Sequence, residues 1–145
     1  MKKQQSGFTL VELIMVIVVL GILAAFALPR FADFGGDARR ASIEGVAGAV
    51  RSASAIAHSA WLAGGSTGTS ITMEGEVITL VNGYPNAEDI IVAAQIDGDF
   101  TIVNTAGAPA TITANGAATA AQCLVTYTEA AAGAAPAIAV DTRGC

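Results

Sequence analysis

The sequence predicts an α+β fold, in which a long N-terminal helix packs on a small antiparallel β-sheet head. Three observations lead to this prediction. Residues 8–28 form an apolar run broken by one acid, and residues 43–61 place apolar or small side chains every three or four positions, as amphipathic helices do. Beyond residue 70, short β-prone runs alternate with Gly, Asn and Pro. The 145 residues suffice for about one domain.

The composition argues against several classes of protein. With 53% apolar and only 13% charged residues, the chain lacks the polarity of a disordered protein. Twelve acidic residues against seven basic ones give a net charge of −5, which disfavours nucleic-acid binding. One histidine and two cysteines are too few for the usual zinc site. We therefore expect no nucleic-acid partner, no metal and no cofactor.

The apolar run 8–28 has the length of a membrane-spanning helix. Its 21 residues would extend roughly 31 Å as a helix, which matches the hydrocarbon thickness of a bilayer. Lys2 and Lys3 precede the run, and the next basic residue is Arg30. The positive-inside rule therefore places the N-terminus in the cytoplasm and the remainder across the membrane. A secretory signal peptide cleaved near residues 25–27 is the alternative, although its apolar region is normally shorter.

Two details of this segment indicate a more specific role. A small residue, Gly7, stands directly before the apolar run, after the polar leader MKKQQS. Glu12 places a single acid one turn inside the apolar segment, where a carboxylate costs about 2.5–3.5 kcal/mol on insertion. Such an acid is expected to be functional and to have a partner, the alternative being that it reaches back to the membrane interface.

The next segment predicts the spine of the head. We expect one long, bent helix over residues 8–62, with Gly35 and Gly36 disturbing it and Asp37 serving as a new N-cap. His58, the only histidine, is expected to be a polar boundary residue rather than a catalytic base. The apolar face of the helix comprises Ile43, Val46, Val50, Ala53, Ala57 and Trp61, and the outer face carries Arg39, Arg40, Glu44 and Arg51.

Residues 63–145 predict a β-rich head. After a glycine-rich connector at 64–70, six β-prone runs suggest one antiparallel sheet of about four to six strands. Between them, residues 86–96 predict a short helix with Asn86 as N-cap and Asp89 at the capping-box position. The predicted strands are 71–73, 77–81, 99–103, 110–114, 122–128 and 136–140.

Cys123 and Cys145 are the only cysteines. An even number of cysteines outside the cytoplasm favours a disulfide, with two free thiols as the alternative. Closing a loop of this length contributes about 3 kcal/mol on the chain-entropy model.

The string GFTLVEL at residues 7–13, with the apolar run ending in Ala-Leu-Pro-Arg, resembles the class III signal of type IV prepilins. The resemblance implies that a membrane peptidase removes the leader 1–7 by cutting after Gly7, and then methylates the new amine on Phe8. It implies that Glu12 pairs with the N-terminal amine of a neighbouring subunit during assembly. It also implies that Gly21 and Pro29 weaken the helix, so that a packed fibre can extend.

The head resembles the mannose-sensitive haemagglutinin pilins in four short motifs. They are Gly-Tyr-Pro at 83–85 followed by Asn-Ala, Tyr-x-Glu-Ala-Ala at 127–131, Pro136-x-Ile138 and the final Gly144-Cys145. In type IV pilins a C-terminal disulfide loop bounds the most variable exposed surface, and the matching stretch here lies within 123–145.

The resemblance implies the major structural subunit of a type IV pilus, not an enzyme. The precursor would lie in the inner membrane with its head in the periplasm and would then polymerise with copies of itself into an extracellular filament. The implied partners are the prepilin peptidase and methyltransferase, the pilus assembly platform and minor pilins, and the implied roles are adhesion, aggregation or colonisation. The alternatives are a pseudopilin of a type II secretion system and a signal-anchored periplasmic enzyme or binding domain.

Overall fold

A computed structural model of the protein describes residues 8–32 and 34–145 and, of residues 28–32, only the backbone. The chain divides between Gly35 and Gly36 into two compact units, which are described separately. The predicted α+β fold is confirmed: a long apolar helix, antiparallel sheets and a C-terminal disulfide are all present.

Helix α1 spans Leu10–Ala32 and helix α2 spans Phe34–Ala63. The helix predicted over 8–62 is therefore found on both sides of residue 33, which lies outside the described residues. The new N-cap predicted at Asp37 is wrong, because α2 already begins at Phe34 and includes both glycines. Gly36 faces the backbone of Cys145, and a Cβ built at Gly36 would lie 3.6 Å from the Cys145 carbonyl, an ordinary van der Waals distance.

The amphipathic face predicted for α2 is confirmed. Trp61, predicted to share this face, is only half-buried. Arg39 departs from the predicted outer face, because its Nε donates a hydrogen bond of 2.9 Å to the carbonyl oxygen of Cys145. The buried side chains of α2 are Ile43, Val46, Ala47, Val50, Ala53, Ser54 and Ala57.

The strands form two antiparallel sheets, so the single sheet of four to six strands was a wrong prediction. The first sheet is β1–β2–β3, and the second has the order β4–β5–β6–β7. Two-residue turns at 74–75 and 82–83 close the hairpins of the first sheet, and all four turn residues have positive φ, as type I′ turns require. The strands are β1 Ser70–Met73, β2 Glu76–Val81, β3 Tyr84–Pro85, β4 Phe100–Val103, β5 Ala110–Ala114, β6 Leu124–Thr128 and β7 Ala137–Asp141.

Helix α3 spans Asp89–Ala93, which is shorter than the predicted 86–96. The hydrogen bond expected of Asn86 is present, since its Oδ1 accepts from the Asp89 amide at 2.7 Å. The Asp89 carboxylate does not complete a capping box. It accepts a 2.7 Å hydrogen bond from the Thr79 amide instead, and so links α3 to strand β2.

One core joins α2, α3 and the second sheet, and Tyr127 is its largest fully buried side chain. The Tyr127 hydroxyl donates a 2.6 Å hydrogen bond to the carbonyl oxygen of Pro85, so a β6 residue holds a β3 residue of the other sheet. Aromatic hydroxyls that are buried normally find such a partner.

The predicted disulfide is present between Cys123 and Cys145, with the two Cα atoms 4.8 Å apart. Cys123 follows a short 3₁₀ helix at Ala120–Gln122. Gly144 lies against this turn so closely that a Cβ would be 2.5 Å from the Thr119 carbonyl oxygen. The Gly144 amide donates to Gln122 and its carbonyl accepts from Thr119, so hydrogen bonds reinforce the closure of the loop.

Candidate processing and assembly site

The start of α1 is a capping box built by Thr9 and Glu12. Glu12 Oε2 accepts hydrogen bonds from the Thr9 amide at 2.9 Å and from the Thr9 hydroxyl at 2.7 Å. In return, the Glu12 amide donates to the Thr9 hydroxyl at 3.2 Å. A Thr three residues before a Glu is the sequence signature of this motif. The sequence therefore contained a signal for this local partner of Glu12 that the sequence analysis missed.

The capping box explains how Glu12 is placed. It satisfies backbone donors that every helix leaves unpaired in its first turn, and it holds the carboxylate at the end of α1 near Phe8. One oxygen, Oε2, accepts both bonds from Thr9. The carboxylate is thus held by short local bonds, which a second donor at the same end of the helix can exchange for its own.

Between Leu10 and Leu23, α1 presents an apolar surface on every side. Its large apolar side chains between Leu10 and Leu23 are 46–74% exposed, and Phe8 is 87% exposed. Residues Leu10–Ala27 are long and apolar enough to cross a membrane, a test that signal sequences and the core helices of soluble proteins can also pass. An exposed apolar surface of this extent indicates a site of interaction.

The predicted site residues fall at different places relative to the described structure. Gly7 lies outside the described residues, and so does the side chain of Pro29. Gly21 lies within α1, and a Cβ built there would have no atom within 4 Å. The cleavage, methylation, pairing and flexibility roles assigned to these residues and to Phe8 and Glu12 stay predictions.

In the head, two motifs that lie far apart in the sequence meet in space. The carbonyl oxygen of Ala130 accepts a 2.7 Å hydrogen bond from Asn82 Nδ2, and Glu129 Oε1 accepts one of 2.8 Å from the Ala87 amide. With the bond from Tyr127 to Pro85, three hydrogen bonds connect segment 82–87 to segment 127–130. The side chains of Asn82, Tyr127 and Glu129 make these bonds with backbone groups of the opposite segment, which gives a structural reason for these three residue types.

His58, predicted to be a polar boundary residue, makes a hydrogen bond and stacks with two aromatic rings. Its Nδ1 lies 2.9 Å from the carbonyl oxygen of Gly83, and its ring stacks on Tyr84 with centroids 4.0 Å apart. The Trp61 ring also stacks on His58, with the two ring centroids 5.6 Å apart. In the described part of the chain, no three His, Cys, Asp or Glu residues are grouped so that they could hold a metal ion.

The comparisons with known proteins agree with the features of the N-terminal segment. The family described as the prokaryotic N-terminal methylation motif matches residues 2–28. The type IV narrow pilus major component PilA5 of Thermus thermophilus is 57% identical over 52 residues. In this N-terminal segment, the chain is similar to type IV pilins. The type IV major fimbrial protein FimA of Dichelobacter nodosus is 52% identical to this chain over 46 residues.

These similarities cover only part of each chain. The aligned residues are 36% of this chain and 45% of PilA5, and for FimA they are 32% of this chain and 28% of FimA. The chain thus spans less than half the length of the curated relatives that it matches. No solved structure matches this chain significantly. The resemblance of its head to the mannose-sensitive haemagglutinin pilins stays a prediction.

Proposed function

We propose that this chain is the major structural subunit of a type IV pilus. The observation that carries the proposal is the part of helix α1 between Leu10 and Leu23, whose apolar side chains are exposed around the whole circumference. Such a helix is stable in two environments, the hydrocarbon of a bilayer and a bundle of similar helices. The same surface can therefore hold the precursor in the membrane and later pack the subunit into a filament.

The names of the relatives support this proposal over a pseudopilin. PilA5 is named as the major component of a type IV narrow pilus, and FimA is named as a type IV major fimbrial protein. In our proposal, as in those names, the chain is a building unit of a surface filament rather than an enzyme. The pseudopilin interpretation has no comparable support.

Processing follows from the order of the N-terminal residues. We propose that the prepilin peptidase cuts after Gly7 on the cytoplasmic side of the inner membrane and that the amine of Phe8 is then methylated. Lys2 and Lys3 keep the leader in the cytoplasm, which leaves the head in the periplasm. An assembly platform and minor pilins would extract the subunit, and the extracellular filament would serve adhesion, aggregation or colonisation.

Glu12 would change its partner during assembly. In the precursor its carboxylate is held by Thr9 at 2.7 and 2.9 Å. After cleavage, Phe8 acquires a charged amine, and a neighbouring subunit that offers this amine supplies a donor with a full positive charge. The Thr9 donors are neutral, whereas the amine adds the attraction of a full opposite charge, which is strong in an apolar bundle of low dielectric constant.

Mass spectrometry of sheared surface filaments tests the processing step. We expect a chain that begins at N-methylated Phe8 and is two hydrogens lighter than the reduced mass, because Cys123 and Cys145 are joined. A mature chain that begins at another residue would overturn the proposed cleavage site.

Two substitutions separate the pairing role of Glu12 from its capping role. Glu12→Gln keeps a side-chain oxygen for the Thr9 donors but removes the charge, and Thr9→Val removes the hydroxyl but keeps the acid. If Glu12 pairs with an amine, Glu12→Gln abolishes filaments, whereas Thr9→Val leaves assembled filaments detectable. Glu44→Gln, the same change at an exposed α2 position, is the control. Normal assembly by Glu12→Gln would leave capping as the only role of this acid.

A further inference from the structure

The head contains an aromatic cleft of about 510 Å³ between the end of α2 and two loops. His58 and Trp61 line it from α2, Asn82 and Tyr84 line it from the second hairpin, and segment 132–135 closes the opposite side. Its volume lies within the range of small-molecule sites, which is about 300–1,000 Å³. We refer to these residues as the aromatic cleft.

The Asn82–Gly83 turn builds the aromatic cleft. The carbonyl oxygen of Gly83 accepts a hydrogen bond from His58 Nδ1 at 2.9 Å, and Asn82 Nδ2 is bonded to Ala130. A Cβ at Gly83 would lie 2.7 Å from the Trp61 ring, so the turn backbone lies directly against the indole. The rings are thus held by backbone contacts, and a ligand would not need to order them.

The lining combines ring surfaces with unused polar atoms. Tyr84, His58 and Trp61 are each only half-buried, so parts of all three rings face solvent. Within the described residues, the Tyr84 hydroxyl and Asn82 Oδ1 take part in none of the hydrogen bonds. Because His58 Nδ1 donates to Gly83, Nε2 of the neutral ring is left as an acceptor.

We propose that the aromatic cleft binds a neutral saccharide. Aromatic faces carry partial negative charge, and they attract the weakly positive C–H faces of a pyranose ring. The phenol, imidazole and amide supply acceptors and donors for its hydroxyls. The remaining lining is alanine and glycine, so the residues of the cleft suit an uncharged polyol.

A neighbouring cleft shows how a longer glycan would continue. It has a volume of about 350 Å³, shares His58, Tyr84 and Ala135 with the aromatic cleft, and runs along α2 past Ser54 and Arg51. The stacked His58 and Tyr84 rings line both clefts. One sugar ring would occupy the aromatic cleft, and the next would occupy the neighbouring cleft.

Trp61 provides the test, because it is the only tryptophan of the chain. The full chain is purified in an amine-oxide detergent, since glycoside detergents would compete for the cleft. It is titrated with the methyl pyranosides of glucose, galactose, mannose and N-acetylglucosamine while the Trp61 emission is recorded. We expect a saturable change with at least one glycoside and a Kd of about 1 mM or below.

Substitutions localise the binding. Tyr84→Phe keeps the stacked ring and removes one hydroxyl, so the affinity should fall about two- to tenfold. Ala132→Glu places a charge at the rim that a bound ligand would have to desolvate, and binding should be lost. Ala131→Glu, at the adjacent exposed residue outside the cleft, is the matched control and should bind like the parent chain.

Three outcomes would overturn the proposal. In the first, no glycoside changes the Trp61 emission, and in the second, Ala131→Glu and Ala132→Glu weaken glycoside binding equally. In the third, the parent chain binds none of the glycosides and Ala132→Glu blocks filament assembly. The last outcome would make the cleft a contact between copies. The pilus proposal is tested separately, because the Glu12→Gln chain should bind glycoside like the parent chain even where it forms no filament.

Discussion

At the scale of single residues, two independent physical reasons favour glycine at position 83. Its φ of +84° suits glycine, and the Trp61 ring lies where a Cβ would be. Gly65 has nearly the same φ, +87°, but has no atom within 4 Å of the corresponding position. The two glycines therefore separate the cost of the backbone conformation from the cost of a steric clash.

We predict that Gly83→Ala destabilises the head more than Gly65→Ala does. The conformational strain is common to both and costs about 1–2 kcal/mol, whereas only Gly83→Ala also displaces Trp61. Urea unfolding of both variants measures the difference, and the Trp61 emission reports the displacement. Equal losses of unfolding free energy in the two variants would contradict the contact between Gly83 and Trp61.

Tyr127 connects a single ionisation to the stability of the head. Burial raises the pKa of its hydroxyl from 10 to about 12, partly opposed by a hydrogen bond with Ser54. A raised pKa means that the folded state holds the proton more tightly than the unfolded state does. The stabilisation is therefore complete below pH 10 and is lost as the pH rises from 10 to about 12.

We predict that the free energy of unfolding falls between pH 10 and about 12, and that Tyr127→Phe removes this part of the fall. The variant starts from a lower stability, because it lacks the hydrogen bond to Pro85. Urea unfolding at a series of pH values measures both effects. Tyr84→Phe, which keeps Tyr127, should retain the pH dependence. A parallel pH profile for Tyr127→Phe and the parent chain would contradict the prediction.

At the scale of elements, the periodicity of apolar residues predicted the buried face of a helix, whereas the β-prone runs did not predict that the strands pair into two sheets. The spacing of Ile43, Val46 and Val50 correctly predicted the buried face of α2, because it depends on residues a few positions apart. The glycine pair at 35–36 misled, because its cost of about 1 kcal/mol per glycine did not keep α2 from including both residues. Asp89 misled because its partner Thr79 lies ten residues away, in another element.

The disulfide-bounded loop makes a prediction at this scale. The double substitution Cys123→Ser/Cys145→Ser should lower the unfolding free energy of the head by about 3 kcal/mol, because the unfolded chain gains the freedom of the opened loop. Chemical denaturation with and without reductant measures the change. The reduced parent chain should behave like the variant, and reductant should leave the variant unchanged. An unfolding midpoint that changes neither with the double substitution nor with reduction of the parent chain would contradict a stabilising role for this bond.

At the scale of the whole molecule, the sequence predicted which segments exist but not which of them meet. The apolar run and the acid at Glu12 could be read directly, since a membrane segment is a continuous stretch. The aromatic cleft could not, because its lining comes from α2, the turn at 82–83 and segment 132–135. Only tertiary contacts bring these three regions together, which is also why two sheets were taken for one.

An added arginine should weaken membrane retention when it is placed on the exposed surface of α1, but not when it is placed on the exposed surface of α2. Val18 lies in the apolar span of α1 and is 51% exposed, and Ser52 is exposed on α2 in the head. In a bilayer, Val18→Arg costs about 2.5–3.5 kcal/mol near the middle of the span, whereas Ser52→Arg adds a charge to a surface that already faces water. We predict that alkaline extraction of membranes releases more of the Val18→Arg chain than of the parent chain, and that Ser52→Arg is retained like the parent. Equal retention of all three chains would show that the α1 surface is not what holds the precursor in the membrane.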